Sequence, residues 1–212
     1  MEECINMKLI ERFKKNLLVR SLYFTSIKFR EYFVTRHRFA KCEEGVRLTP
    51  PYKFIGSQNI YIGKNVAIGS NAMISALNAK FICAENCAIA EGLTVHTGNH
   101  ARIIGKFVTD ITEDNKPKGF DLDIIVQEDV WIGSNVTLLA GCTIGRGCTI
   151  AAGAVVNKST PPYSVCGGVP ARFIKFYWTI DQIVEHESKL YPPESRLSRE
   201  YLVDMFAQQG LM

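Results

Sequence analysis

Every sixth residue from Val126 to Val156 is a large aliphatic: Val126, Ile132, Leu138, Ile144, Ile150 and Val156. Four places after each comes a small or β-branched residue, at Val130, Val136, Cys142, Cys148, Ala154 and Thr160. The same frame runs earlier through Ile62, Ile68 and Ile74, slips by three residues, and resumes at Cys83, Ile89 and Val95. A helix repeats its faces every 3.6 residues and a strand every 2, so neither produces a strict period of six. A short strand followed by a turn, repeated around a closed prism, does. The aliphatic residue then fills the interior and the small residue fits the crowded corner. Each coil buries its apolar face only by stacking on the next, so the chain reads as a solenoid.

Gly63, Gly69, Gly133 and Gly145, with Asn65, Asn71 and Asn135, are expected to supply the turns between strands. The frame also accounts for most of the cysteines. Cys87, Cys142 and Cys148 take the small-residue place and Cys83 the aliphatic one, so they read as buried fillers, not ligands or nucleophiles. Seven cysteines, an odd number without tight pairing, indicate reduced thiols and a cytoplasmic compartment. The repeat breaks between 96 and 123, where charged residues, glycines and Pro117 replace the hexad. A long excursion from a rigid scaffold is where function tends to sit.

The repeat is bounded on both sides. After Pro161-Pro162, Thr179-Ile180-Asp181-Gln182 forms a capping box. It opens a short helix with Ile180, Ile183, Val184 and Leu190 on its apolar face, stopped by Pro192-Pro193. A second helix is expected from about 195 to 208, with Leu197, Tyr201, Leu202, Met205 and Phe206 on one face and Gly210 beyond its end. Ahead of the repeat, residues 1–41 carry ten basic and four acidic side chains in an amphipathic helical pattern. That segment suits packing on the main domain or a neighbouring subunit, or peripheral contact with a membrane surface. The whole chain of 212 residues is only +4, well below a nucleic-acid binder's balance, and no apolar run is long enough to span a bilayer. Three regions follow: a basic helical segment over 1–45, a repeat domain over 46–176 with the 96–123 loop, and a helical extension over 177–212.

Taken together, [LIV]-G-x-x-[AVCT]-x in tandem and the stretch from Asp129 to Lys175, with its GGVPARFIK phrase, resemble the hexapeptide-repeat acyltransferases. The maltose and galactoside O-acetyltransferases, the capsule and exopolysaccharide O-acetyltransferases and the antibiotic-acetylating branch share this pattern. The resemblance implies a mainly β chain folded as a left-handed parallel β-helix, assembled as a homotrimer whose protruding loop helps wall the active site. It also implies acetyl-CoA as co-substrate, no metal, and transfer of acetyl to a hydroxyl of a polysaccharide, glycolipid or nucleotide-linked precursor.

Acetyl transfer to a hydroxyl needs a base to take the proton as the oxygen attacks the thioester, and histidine titrates in the right range. Two of the four histidines, His96 and His100, stand where repeat gives way to loop. Spacing alone does not separate them. By resemblance, His100 matches the family's catalytic histidine and His96 is left an acceptor-site role. His37 and His186, in the terminal segments, read as structural or solvated. On the donor side, Ser134, Ala152, Asn157, Arg172 and Lys175 match the CoA contacts of the galactoside enzymes. Small residues at Ser134, Ala151, Ala152 and Gly153 would admit the pantetheine arm, and Arg172, Lys175 and Lys158 would pair with phosphates. Trp131, one place before an interior position, is expected to face outward.

Two departures from the pattern bear on the acceptor. Ala101 follows His100 where the sugar enzymes carry Pro or Asp. Their acceptor-binding acid and amide align near Leu77 and Gly69, which can do neither job, so a simple disaccharide is not the expected acceptor. Acetylation of an antibiotic is the alternative within the same fold. A β-helical carbonic anhydrase would need three converging histidines, and residues 55–95 contain none to join His96 and His100. A non-catalytic scaffold is the remaining class.

Overall fold

The computed structural model describes residues 38–210 together with Ser21, Leu22, Thr25 and Ser26, and the last four are helical. The rest of the expected basic helix, His37 included, lies outside the described residues. The chain divides into two compact units, Met1–Phe39 and Ala40–Met212. In the second, the chain winds through strands of two to four residues. The first coil holds β1 (Lys41–Cys42), β2 (Arg47–Leu48) and β3 (Tyr52–Ile55). The second holds β4 (Ile60–Ile62), β5 (Ala67–Ile68) and β6 (Ala72–Ser75), and the third β7 (Phe81–Cys83), β8 (Ala88–Ile89) and β9 (Thr94–His96). After the excursion come β10 (Ile124–Val126), β11 (Trp131–Ile132) and β12 (Thr137–Leu139), then β13 (Thr143–Ile144), β14 (Thr149–Ile150) and β15 (Val155–Val156).

Every third strand stacks in parallel, giving three faces: β1-β4-β7-β10-β13, β2-β5-β8-β11-β14 and β3-β6-β9-β12-β15. Successive coils lie about 4.8 Å apart, the spacing of paired strands. The stacking register follows the hexad: Val126 lies beside Cys83 and Ile144, Ile132 beside Ile89 and Ile150, Leu138 beside Val95 and Val156. All of these are buried, and so are Val130, Val136, Cys142, Cys148 and Ala154 at the corners. Each fully buried aliphatic contributes roughly 1.5–3 kcal/mol. Cys83, Cys87, Cys142 and Cys148 are buried free thiols that act as core fillers; burial raises the Cys142 thiol to about 11.

The prism begins earlier than 46. Cys42, Leu48 and Phe54 continue the interior columns, paired with Ile62, Ile68 and Ile74. The sequence pattern passes over this coil because Cys and Phe stand in two of its three aliphatic places. The glycine reading also changes. The left-handed corners belong to Asn65, Asn71, Asn86, Asp129 and Asn135, with φ near +57°, and to Gly45, Gly92, Gly141, Gly147 and Gly153, not to the four glycines expected there. Gly133 has no such backbone. It is required because a Cβ there would lie 2.7 Å from the Ala152 nitrogen on the next coil.

The last turn is closed by β16 (Ser164–Gly167) and the antiparallel β17 (Arg172–Phe176), which carry the second face onward from β14. Helix α1 (Ile180–Leu190) starts at the expected capping box, with Gln182 N donating to Thr179 Oγ1 at 3.3 Å. Helix α2 (Arg199–Gln208) starts from Ser198, later than expected, because Pro193–Ser195 forms a separate 3-10 turn. Tyr163, Phe176, Ile183, Leu202 and Met205 form the core between these helices and the prism. Of the apolar residues on these helices, Leu190 and Tyr201 are exposed. Among the described residues no helix is long and apolar enough to cross a membrane.

Candidate active site

The chain leaves the prism after His96 and returns at Ile124, so the excursion projects from the corner between the third face and the first. Its base is pinned. Thr97, buried, donates through Oγ1 to Ala79 O at 3.2 Å, and its carbonyl accepts from Leu122 N at 2.9 Å. Lys80 N donates to Asp123 Oδ1 at 2.7 Å. Between these ties lies a cleft of about 390 Å³, lined by Ser75, Leu77, Asn78, His96, Gly98, Asn99, His100, Glu113, Lys116 and Asp121.

The structure brings both candidate histidines to this cleft. His96 is the last residue of β9, between Ser75 of the preceding coil and Leu139 of the next, and is half-buried. His100 stands four residues on at the exposed rim. Ala101 beside it is fully buried. Four polar lining residues carry no signal in the hexad: Asn78, Glu113, Lys116 and Asp121. The Lys116 ammonium bridges Asp121 at 2.7 Å and Glu113 at 2.8 Å, with 8% of its side chain exposed. These partners raise the Lys116 pKa. Burial works to raise the Asp121 carboxyl, but the Lys116 ammonium, Asn78 and Asn99 N outweigh it and hold it below the usual carboxylate value. An amide, Asn78, lines the cleft beside Leu77, the position that aligns with the acceptor-binding acid of the sugar enzymes.

The residues expected on the donor side gather elsewhere. Ser134 and Ala152 sit on consecutive coils at the corner between the second and third faces, tied by Gly153 N donating to Ser134 O at 2.8 Å. The Ser134 hydroxyl hydrogen-bonds the Glu91 carboxylate and lowers its pKa. At the same edge the segment after β16 folds over Val155, with Ala171 N donating to Val155 O at 2.8 Å. This leads directly into Arg172 and Lys175, both exposed on β17. Trp131 faces outward, 52% exposed. Asn157 is different: it follows β15 at the loop's own corner, in the column of Leu139 and His96. Within one chain, the base side and most of the donor side therefore occupy two corners. The third face, through β12 (Thr137–Leu139), lies between them. His186 is far from either, packed between Trp178 at 4.6 Å and the edge of Tyr163 at 5.8 Å. Among the described residues, no group of three or more His, Cys, Asp or Glu side chains is placed to hold a metal ion.

Residues 123–158 match the family model described as bacterial transferase hexapeptide (six repeats). A probable macrolide acetyltransferase of Lysinibacillus sphaericus is 38% identical over 132 residues, 62% of this chain and 67% of that protein. The galactoside O-acetyltransferase of Escherichia coli K12 is 29% identical over 142 residues, 66% of this chain and 65% of its own length. The solved structure of a galactoside acetyltransferase in complex with coenzyme A superposes with a TM-score of 0.60 at 26% identity, covering 81% of this chain and 78% of that one.

Proposed function

The chain belongs to the hexapeptide-repeat acetyltransferases, and on that premise we propose that it moves an acetyl group from acetyl-CoA to a sugar hydroxyl with His100 as general base. The acceptor hydroxyl would belong to a polysaccharide, a glycolipid or a nucleotide-linked precursor, and acetyl-CoA as donor puts the reaction in the cytoplasm. The observation that carries the reading is the place of His100: exposed at the rim of the cleft that opens where the repeat breaks. There it takes the proton as the acceptor oxygen attacks the thioester carbonyl carbon. The tetrahedral oxyanion collapses, the C–S bond breaks, and the CoA sulfur leaves with the proton carried by the imidazolium. His96, half-buried behind it, lines the acceptor side.

Ser134, Ala152, Asn157, Arg172 and Lys175 are assigned to CoA. The two cations face solvent on β17, ready for phosphates, and Gly133 lets Ala152 approach closely. Because Ser134, Ala152, Arg172 and Lys175 lie away from the corner of His100, which Asn157 shares, a second copy has to bring its donor corner against the loop corner of the first. Three such contacts close a ring, so the working assembly is a homotrimer.

A second reading is favoured by one observation: the Lysinibacillus protein is more similar in sequence than the galactoside enzyme. Leu77, exposed in the cleft wall, gives an antibiotic macrocycle an apolar surface. Incubating the protein with labelled acetyl-CoA and, separately, bacterial oligosaccharides, a β-galactoside or erythromycin decides between them by mass spectrometry. Label on a glycan supports the first reading, and label on erythromycin alone replaces it with the second.

A further inference from the structure

We infer that Asp121 is a positioning residue that fixes His100 against the acceptor by holding the peptide just before it; this rests on His100 being the base. Asp121 lies at the far end of the excursion, more than twenty positions from His100 in sequence, yet its Oδ1 accepts a hydrogen bond from Asn99 N at 3.3 Å. The same carboxylate is anchored from two other directions. Lys116 Nζ reaches Oδ1 at 3.0 Å and Oδ2 at 2.7 Å. Asn78 Nδ2, from the turn of the preceding coil, reaches Oδ2 at 3.4 Å and Glu113 Oε2 at 2.5 Å. One carboxylate thus joins the outgoing limb, the returning limb and the rigid prism. Gly98 records the fit: a Cβ there would lie 2.8 Å from Asp121 Oδ1, so the limb approaches only without a side chain. Ala101, on the other side of His100, is buried, so the base sits on a short arch held at both feet. An arch of this kind limits the excursions of an exposed imidazole, and misplacement by about 1 Å can cost on the order of 100-fold in rate.

The test compares Asp121→Ala, Gly98→Ala, His100→Ala and the Asp121→Ala/His100→Ala double variant. The probe is release of the CoA thiol from acetyl-CoA, measured with water as acceptor and again with maltose and with erythromycin, so that it runs whatever the natural acceptor is. Asp121→Ala is expected to lower kcat by roughly 10–100-fold and to leave the KM for acetyl-CoA within about twofold. Gly98→Ala, which displaces the same carboxylate from the opposite side, is expected to do likewise. In the His100→Ala background, removing Asp121 should change the residual rate by no more than about twofold, because it acts through the base. Amide hydrogen exchange over 97–104 should speed up in both loop variants. Wild-type kcat in Asp121→Ala, or an equal loss with and without His100, overturns this inference alone. Full activity in His100→Ala overturns the base assignment and this inference with it.

Discussion

The Tyr163 hydroxyl donates a 2.6 Å hydrogen bond to Oε1 of Glu187, a carboxylate 1% exposed. Glu187 also accepts from Arg146 Nη1 at 2.9 Å and from Leu197 N at 3.2 Å. Arg146 in turn holds Glu128 through Nε at 2.6 Å and donates to Ser195 O at 2.9 Å. This network joins α1 and the turn before α2 to the last coils of the prism. Replacing Glu187 by Ala leaves buried donors without a partner and is expected to cost about 3–5 kcal/mol in denaturant unfolding. Glu187→Gln, which keeps the shape and an acceptor oxygen, should cost less.

The same contact sets an alkaline limit. Burial first, and then the neighbouring Glu187 carboxylate, push the Tyr163 hydroxyl well above the usual tyrosine value. The unfolded chain loses this proton near pH 10 while the folded chain keeps it, so the unfolded state binds fewer protons and stability falls as pH rises. Unfolding free energy measured between pH 9 and 11 should decline, and Tyr163→Phe should flatten part of that slope.

Gly133→Ala tests the coil spacing. The added methyl would meet the Ala152 nitrogen at 2.7 Å and the Ile150 oxygen at 3.0 Å, both backbone atoms that cannot rotate away. A loss of about 1–3 kcal/mol is expected, read as a lower denaturant midpoint at unchanged slope. Since Ala152 is a proposed CoA contact, weaker CoA binding by calorimetry should accompany it.

The prism was legible because its rule is one-dimensional. Val126 to Val156 state the period, and stacking repeats one environment at each step. The first coil escaped because Cys42 and Phe54 fill aliphatic places with other residue types. Gly133 was misassigned because a close approach between coils depends on a residue nineteen positions away, whereas a turn depends on its own φ. In the cleft, the two histidines were visible from where the hexad ends. Asn78, Glu113, Lys116 and Asp121 were not, since their meeting depends on how an irregular loop folds back, and no periodicity encodes that. The ends of the helices were partly legible. Thr179 and Gln182 sit three apart and cap α1 directly, whereas the exposure of Leu190 and Tyr201 is set by what the prism leaves uncovered.

On the donor side, Arg172→Ala and Lys175→Ala should each weaken CoA binding by roughly 5–50-fold, with a larger effect at low salt, because exposed cations meeting phosphates are screened. Dephospho-CoA should narrow the difference between wild type and the variant whose cation meets the missing phosphate. Calorimetry in which wild type shows no heat with CoA would remove the donor assignment.

The base assignment gives the sharpest division between two neighbouring residues. His100→Ala should lower turnover by roughly 10²–10⁴-fold with CoA affinity nearly unchanged, the usual worth of a positioned general base. His96→Ala should raise the acceptor KM more than it lowers kcat, because the half-buried ring at the end of β9 lines the cleft and His100 stands at its rim. The geometry makes the two outcomes distinct: His96 is fixed in a strand between Ser75 and Leu139, while His100 rides on a loop whose position other residues set. An inactive His96 variant beside an active His100 variant would exchange their roles. Near-wild-type turnover in both would place the base outside the cleft.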